Sequence, residues 1–223
     1  DGKVYYIIKS RLCVRGFLDP QKCQLGRRSS TATRLSQKLI VSHAMTHDFV
    51  MESWDVSTAF LRGFNFNVME DMARDLGINL PELRRKAYIV PPANVWFHLA
   101  EMGFVSCEFA HCDFCLELLK AMYGLVDAPL LWQLCLRWHL KRLGGITSLY
   151  DDNFHYWIDT ANNALLGELT SHVDDCNSAG KQAFLDWLRS ELEATFGKMS
   201  VQKLPMDHVG ISYEAIVQGT TPG

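Results

Sequence analysis

Three carboxylates stand out in this 223-residue chain because of where they sit. Ser53-Trp54-Asp55-Val56 puts one Asp where an apolar stretch ends. His172-Val173-Asp174-Asp175 puts an adjacent pair where an alternating stretch turns back. If the two stretches are neighbouring strands of one sheet, all three side chains come together. Clustered carboxylates repel one another until a cation holds them, and hard oxygen donors suit Mg²⁺, with Mn²⁺ as a substitute. Two such ions clamp the attacking and leaving oxygens of an in-line phosphoryl displacement. Each signal alone is ordinary: an Asp-Asp pair is first of all a turn, and a lone Asp beside Val is common in a strand.

Two further constellations carry less. Cys107-x3-His111-Cys112-x2-Cys115 holds four soft donors within nine residues, and Cys-x2-Cys is half of a zinc site. The second half lacks the usual longer separation, so thiols packed in an irregular insertion are the simpler account. Trp96, Trp132, Trp138, Trp157 and Phe184 offer either base-stacking surfaces or core, and the amphipathic patterns on which most of them lie favour core.

The elements that must position these residues follow from periodicity. Lys3–Phe17 alternates as two strands of a hairpin do, which sets Lys9, Arg11 and Arg15 on one face. Asp19–Ser30 is a basic loop. Thr31 or Thr33 caps a helix running to about Thr46. Phe49–Phe60 is a buried strand leading into a turn. Residues 64–119 are the least legible part, with a short helix at Asn79–Arg85, an extended Pro91-Pro92 and an irregular stretch at 103–115. Pro129 to about Leu143 is a helix stopped by Gly144-Gly145. Asn153–Asp159 and Ala164–Val173 are strands, followed by a short return strand and an amphipathic helix over Gly180–Phe196. Alternation puts His172 on the same face as Asp174. Val209–Tyr213 is a last strand, and Val217–Gly223 a tail.

The bulk properties agree with one folded domain. Apolar residues make up 48% and charged residues 21%, enough for a core and too few charges for a disordered chain. Apolar runs are too short to span a membrane. Seven irregularly spaced cysteines argue for reduced thiols in a cytosolic or nuclear setting, not a disulfide framework. No signal peptide opens the chain. It starts on Asp, as a segment excised from a longer polypeptide does, and as a cloning boundary also does. The net charge of −3 hides an asymmetry: residues 1–40 carry nine Lys and Arg against two Asp, so the remainder is acidic. A basic arm on an acidic body suits a phosphate-facing lobe joined to a cation-holding lobe, or simply a solvated basic surface.

The wording and order of the motifs resemble the copia-type retrotransposon reverse transcriptase domain across nearly the whole chain. Lys9-Ser10-Arg11-Leu12-Cys13-Val14-Arg15-Gly16-Phe17 is similar to that family's opening Lys-Ala-Arg-Leu-Val-Ala-Arg-Gly-Phe. Asp55-Val56-Ser57-Thr58-Ala59-Phe60-Leu61-Arg62-Gly63 is similar to its Asp-Val-Lys-Thr-Ala-Phe-Leu-Asn-Gly. Lys120-Ala121-Met122-Tyr123-Gly124-Leu125, Ala128-Pro129 and Trp132 match its Tyr-Gly-Leu and Ala-Pro-x-x-Trp region. His172-Val173-Asp174-Asp175 stands where Tyr-Val-Asp-Asp is expected, and Phe196-Gly197 and His208-Val209-Gly210-Ile211 resemble its closing motifs.

The resemblance implies an α+β right-hand polymerase, its palm an antiparallel sheet with helices on one face. Fingers would span about 1–48 and 64–122, and palm about 49–63 and 123–215, with 216–223 a tail or linker. It implies RNA-directed DNA polymerisation, in which two Mg²⁺ ions assist addition of dNTPs to a primer 3′ end. Asp55, Asp174 and Asp175 would be the catalytic and metal-binding carboxylates. Phe60 would be the steric gate against a 2′-hydroxyl, or else a core aromatic of a buried strand. Lys9, Arg11 and Arg15 would meet the triphosphate, Tyr123 and Gly124 would line the nucleotide pocket, and Val209, Gly210 and Ile211 would form the primer grip. The implied partners are an RNA or DNA template with primer, dNTPs, and the thumb, RNase H and integrase of the same polyprotein. The implied location is a cytoplasmic particle or the nucleus, neither secreted nor in a membrane.

Three departures bear on activity. His172 replaces the family Tyr, Val126-Asp127 replaces Lys-Gln, and Leu130 replaces Arg. The last two remove cations and add an anion in a segment expected near template. A catalytically inactive, nucleic-acid-binding remnant of the same polyprotein is therefore the second expectation. A two-metal nuclease is the third, although it gives no reason for the Tyr-Gly-Leu and Ala-Pro segment.

Overall fold

The computed structural model describes residues 11–26, 29–79, 85–106 and 114–215. After a 3₁₀ turn at Gly16–Leu18 come α1 (Arg34–His47), β1 (Val50–Val56), α2 (Ala59–Arg62) and α3 (Phe66–Asp75). Then follow β2 (Ala87–Ile89), α4 (Ala93–Glu101), β3 (Leu116–Leu118), α5 (Ala128–Arg142), β4 (Ile146–Thr147), β5 (Phe154–Ile158) and β6 (Leu165–His172). The chain continues with β7 (Asp175–Gly180), α6 (Gln182–Phe196), β8 (Met199–Lys203), β9 (Met206–His208) and β10 (Ile211–Tyr213). The architecture is α+β. Its centre is a six-stranded sheet in the order β4-β5-β6-β7-β1-β8, with every neighbouring pair antiparallel.

Period-two alternation along β1 decides which layer covers which face. Trp54 and Val56 point to one side and join Cys176, Leu169, Trp157 and Met199 in a core closed by α3, α5 and α6. Trp54 and Trp132 are almost fully buried there, and burial of one large side chain stabilises by roughly 1.5–3 kcal/mol. Glu52, on this same side, is also fully buried. Its carboxylate is satisfied by Trp54 Nε1 at 2.8 Å and Arg189 Nη1 at 2.8 Å.

Met51 points to the other side with its partner Ala179, where Ile40 and Ala44 of α1 and Met206 and Tyr213 of the β9–β10 hairpin cover them. The expectation of helices on one face is corrected here, because Ile40 and Ala44 give α1 an apolar stripe that needs a surface of its own. Thr33 caps α1 by accepting the Ser36 N–H at 3.1 Å, a contact worth about 1 kcal/mol. Asp151 then ties this start to the β4–β5 end of the sheet by accepting the Thr33 N–H at 2.7 Å.

Other expectations are also corrected. Arg11–Arg15 has no regular strand, and Gly16–Leu18 is a 3₁₀ turn, so a face shared by Arg11 and Arg15 through strand alternation is lost. Lys9 lies outside the described residues, as do most of the helix expected at Asn79–Arg85 and three of the four soft donors, Cys107, His111 and Cys112. Val209–Tyr213 is not one strand: Val209 (φ 51) and Gly210 (φ 73) make the corner of a hairpin whose second strand begins at Ile211. Among the described residues no helix is long and apolar enough to cross a membrane.

Candidate functional site

Asp55 and Asp175 face each other across β1 and β7 as a register pair, so their side chains leave the same side of the sheet. This is the side away from Trp54 and Val56. Asp174 belongs to the two-residue corner between β6 and β7, and its carbonyl accepts the Val56 N–H at 3.2 Å. The backbone thus brings all three residues to one end of two adjacent strands. The carboxylates act on each other: burial first, then Asp174 and Asp55, push the Asp175 carboxyl above its ordinary value, with His172 opposing. That concentration of negative charge is the donor chemistry a hard divalent cation requires. The side chains themselves do not close on one point. Among the described residues no three His, Cys, Asp or Glu are grouped so as to hold a metal ion.

Around the pair, β8 supplies Ser200, whose hydroxyl donates to Asp55 Oδ2 at 3.4 Å. A cleft beside it is lined by Ser53, Asp55, Asp175, Ser200, Gln202, Asp207, His208 and Val209. Ser53 Oγ lies 3.0 Å from His208 Nδ1, which ties β1 to β9. Burial and the neighbouring His172 hold the His208 imidazole down at about 4, so it is neutral near pH 7. None of Ser200, Gln202 or Asp207 was singled out from sequence, because β8 and β9 are short and their alternation covers only three to five residues.

His172 pairs with Asp175 and not with Asp174, since the strand ends at His172 and alternation stops at the corner. Its Nδ1 is buried without a hydrogen-bond partner among the described residues.

On the opposite flank, the Arg-Gly-Phe and Tyr-Gly-Leu motifs cross. The Val14 N–H donates to the Tyr123 carbonyl at 2.8 Å. A Cβ on Gly16 would lie 2.1 Å from the Gly124 carbonyl oxygen, and one on Gly124 2.0 Å from that of Val14. Only glycine at both positions lets the two backbones approach this closely. The crossing brings Arg11 over the Tyr123 ring at 5.2 Å, and Phe60 lies 5.0 Å from the same ring. Burial, then Asp174 and Asp55, push the Tyr123 phenol up, while Arg11 opposes. Tyr123, Arg11, Asp55 and Asp174 therefore form one electrostatic neighbourhood, with Phe60 packed beside the Tyr123 ring. Phe60 is not on a buried strand: it is half-buried in α2, just after Thr58, which is left-handed at φ 60. Arg15 is exposed.

Asp127 is buried at the start of α5, where Arg85 grips it through Nε at 2.8 Å and Nη2 at 3.2 Å and also reaches Asp19 at 2.6 Å. It is a paired structural anion, not a free charge on a surface. Comparison with protein-family models, with curated proteins and with solved structures returned no match.

Proposed function

We propose that this chain is the fingers and palm of a right-hand RNA-directed DNA polymerase of the copia-type retrotransposon class, adding dNTPs to a primer 3′ end on an RNA or DNA template. The observation that carries the reading is the register pair Asp55–Asp175 with Asp174 in the adjoining corner, flanked by the Tyr123–Gly124 crossing. Asp55, Asp174 and Asp175 would hold Mg²⁺. When bound, the ions would lower the cost of the charge that builds on the attacking and leaving oxygens. Arg11, which lies over the Tyr123 ring, would meet phosphate charge. Tyr123 and Phe60, half-buried rings 5.0 Å apart, would be the aromatic surfaces that meet the nucleotide sugar. Val209, at the hairpin corner, lines the same cleft as Asp55 and Asp175, which suits a grip on the primer end. The thumb, RNase H and integrase of a polyprotein are further partners on this reading.

The inactive, nucleic-acid-binding remnant is a second reading: Val126 and Leu130 stand where the resembled family carries Lys and Arg, which removes two cations from the segment expected near template. Primer extension with Mg²⁺ and dNTPs separates the two. We expect template-directed incorporation by the wild-type chain, and a loss of about 10²-fold or more in Asp55→Asn and Asp174→Asn, with primer–template binding retained. Equal incorporation by wild type and variants overturns the polymerase reading. Binding without incorporation by the wild type assigns the chain to the remnant.

A further inference from the structure

The corner that carries Asp174 contains a residue ill suited to its conformation. Val173 has φ 59, a left-handed backbone that is a genuine outlier for a β-branched side chain. Such a corner persists only where its surroundings hold it. Two donors do so. The Val56 N–H, from the strand that carries Asp55, reaches the Asp174 carbonyl at 3.2 Å. The indole Nε1–H of Trp132, from α5 behind the sheet, donates to the Val173 carbonyl at 2.8 Å.

Trp132 has no freedom to turn away. It is 1% exposed, and its ring meets Phe196 edge-on with centroids 4.9 Å apart. The Val173 carbonyl belongs to the peptide plane that enters Asp174 and the Asp174 carbonyl to the plane that leaves it, so the two donors together fix both planes and with them the direction of the Asp174 Cα–Cβ bond.

We propose that Trp132 is a positioning residue: its indole N–H locks the Val173–Asp174 peptide and so aims the Asp174 carboxylate at the end of β1 beside Asp55. The consequence for cations rests on the carboxylate reading given above, whereas the locking of the corner does not. A purely structural Trp132 would contribute ring volume to the core and nothing through its nitrogen. Ring and donor can be separated. Trp132→Phe removes the N–H with part of the ring, and benzothienylalanine at position 132 keeps the two-ring shape while replacing N–H by sulfur. Trp138→Phe is the control. It lies on the same helix, and its N–H goes to the Asp75 carboxylate at 3.0 Å, away from the corner.

The experiment titrates Mn²⁺ by electron paramagnetic resonance, using the wild type, these three variants and Asp174→Asn. Hydrogen exchange at the amides of residues 173–176 is measured on the same samples. Both changes at position 132 should raise the Mn²⁺ concentration for half-saturation about tenfold and speed exchange at the corner, whereas Trp138→Phe changes neither. Where primer extension is measurable, kcat should fall with the KM for dNTP unchanged. A benzothienylalanine protein with wild-type Mn²⁺ binding and wild-type exchange overturns the proposal and leaves Trp132 a packing residue. If Asp174→Asn binds Mn²⁺ as the wild type does, the cation reading has failed instead. The exchange measurement, which needs no cation, then decides alone whether the indole holds the corner.

Discussion

Phe60 follows Asp55 by five residues, and its half-buried ring rests 5.0 Å from Tyr123. On the proposed polymerase reading, Phe60→Val cuts that ring to a smaller, branched side chain and would open room beside the sugar. Incorporation of rNTP relative to dNTP should rise about tenfold or more, with a modest fall in DNA synthesis. Competition between the two substrates on one primed template checks it, and an unchanged ratio in an active variant makes Phe60 a core residue. The sequence led to Phe60 through its motif but assigned it to a buried strand, because the apolar run through Val56 hides the break at Ser57-Thr58. His172 shows the same limit. Alternation predicted a shared face with Asp174, but the corner interrupts the period, and the facing residue is Asp175. Asp127 reads from sequence as an anion added in a segment expected near template, and only the fold reveals Arg85, 42 positions away, as its partner.

At the scale of elements, the crossing of 14–16 over 123–125 is the contact on which the placing of Arg11 and Tyr123 depends. Gly124→Ala would set a Cβ 2.0 Å from the Val14 carbonyl at a backbone φ of 94. The clash is with backbone, which has no rotamer to escape into, so we expect a loss of roughly 2–4 kcal/mol. Gly77→Ala separates sterics from backbone conformation: its φ is 69 but nothing lies within 4 Å, and it should cost only about 1–2 kcal/mol. Urea midpoints for the two variants check this, and similar costs would remove the role given to the close approach. The sheet around the carboxylates was legible because β5, β6 and the strand of Asp55 are long enough to show their period, and α5 and α6 carry apolar stripes. The reading failed where elements are short or locally irregular. β8, β9 and β10 are three to five residues each, and α3 and α4 lie in the stretch that periodicity left unresolved. The supposed hairpin at the start is, in its described part, backbone held by the Tyr-Gly-Leu segment and not by a partner strand.

For the whole molecule, buried imidazoles link folding to proton concentration. His155 is fully buried on β5, its Nδ1 is 3.2 Å from Thr147 Oγ1, and its Nε2 has no hydrogen-bond partner among the described residues. Burial, with Arg137 adding to it and Asp151 opposing, holds its pKa down to about 3. In the fold His155 is therefore neutral, while in the unfolded chain it takes up a proton below its ordinary value of 6.5. The unfolded state then binds more protons, so stability is full above pH 6.5 and is lost as pH falls toward 3. The slope is about 1.4 kcal/mol per pH unit for one group. His208, held down to about 4, acts in the same direction. Asp151 does as well: burial raises its carboxyl, but hydrogen bonds from Ser36, Thr33 and Asn153 outweigh that and lower it. Glu168 and Asp175 are raised, chiefly by burial, and oppose the others, so the net slope of the wild type does not isolate any one group. The difference between two proteins does. His155→Gln removes the titrating group, so between pH 6 and pH 4 its stability should fall less steeply than the wild type's by about 1.4 kcal/mol per pH unit, whatever the substitution costs at pH 7. Urea unfolding at four pH values for both proteins measures that difference. Parallel lines would mean that His155 carries its proton in the fold, and the acid sensitivity of the molecule would then have to come from His208 and Asp151 instead.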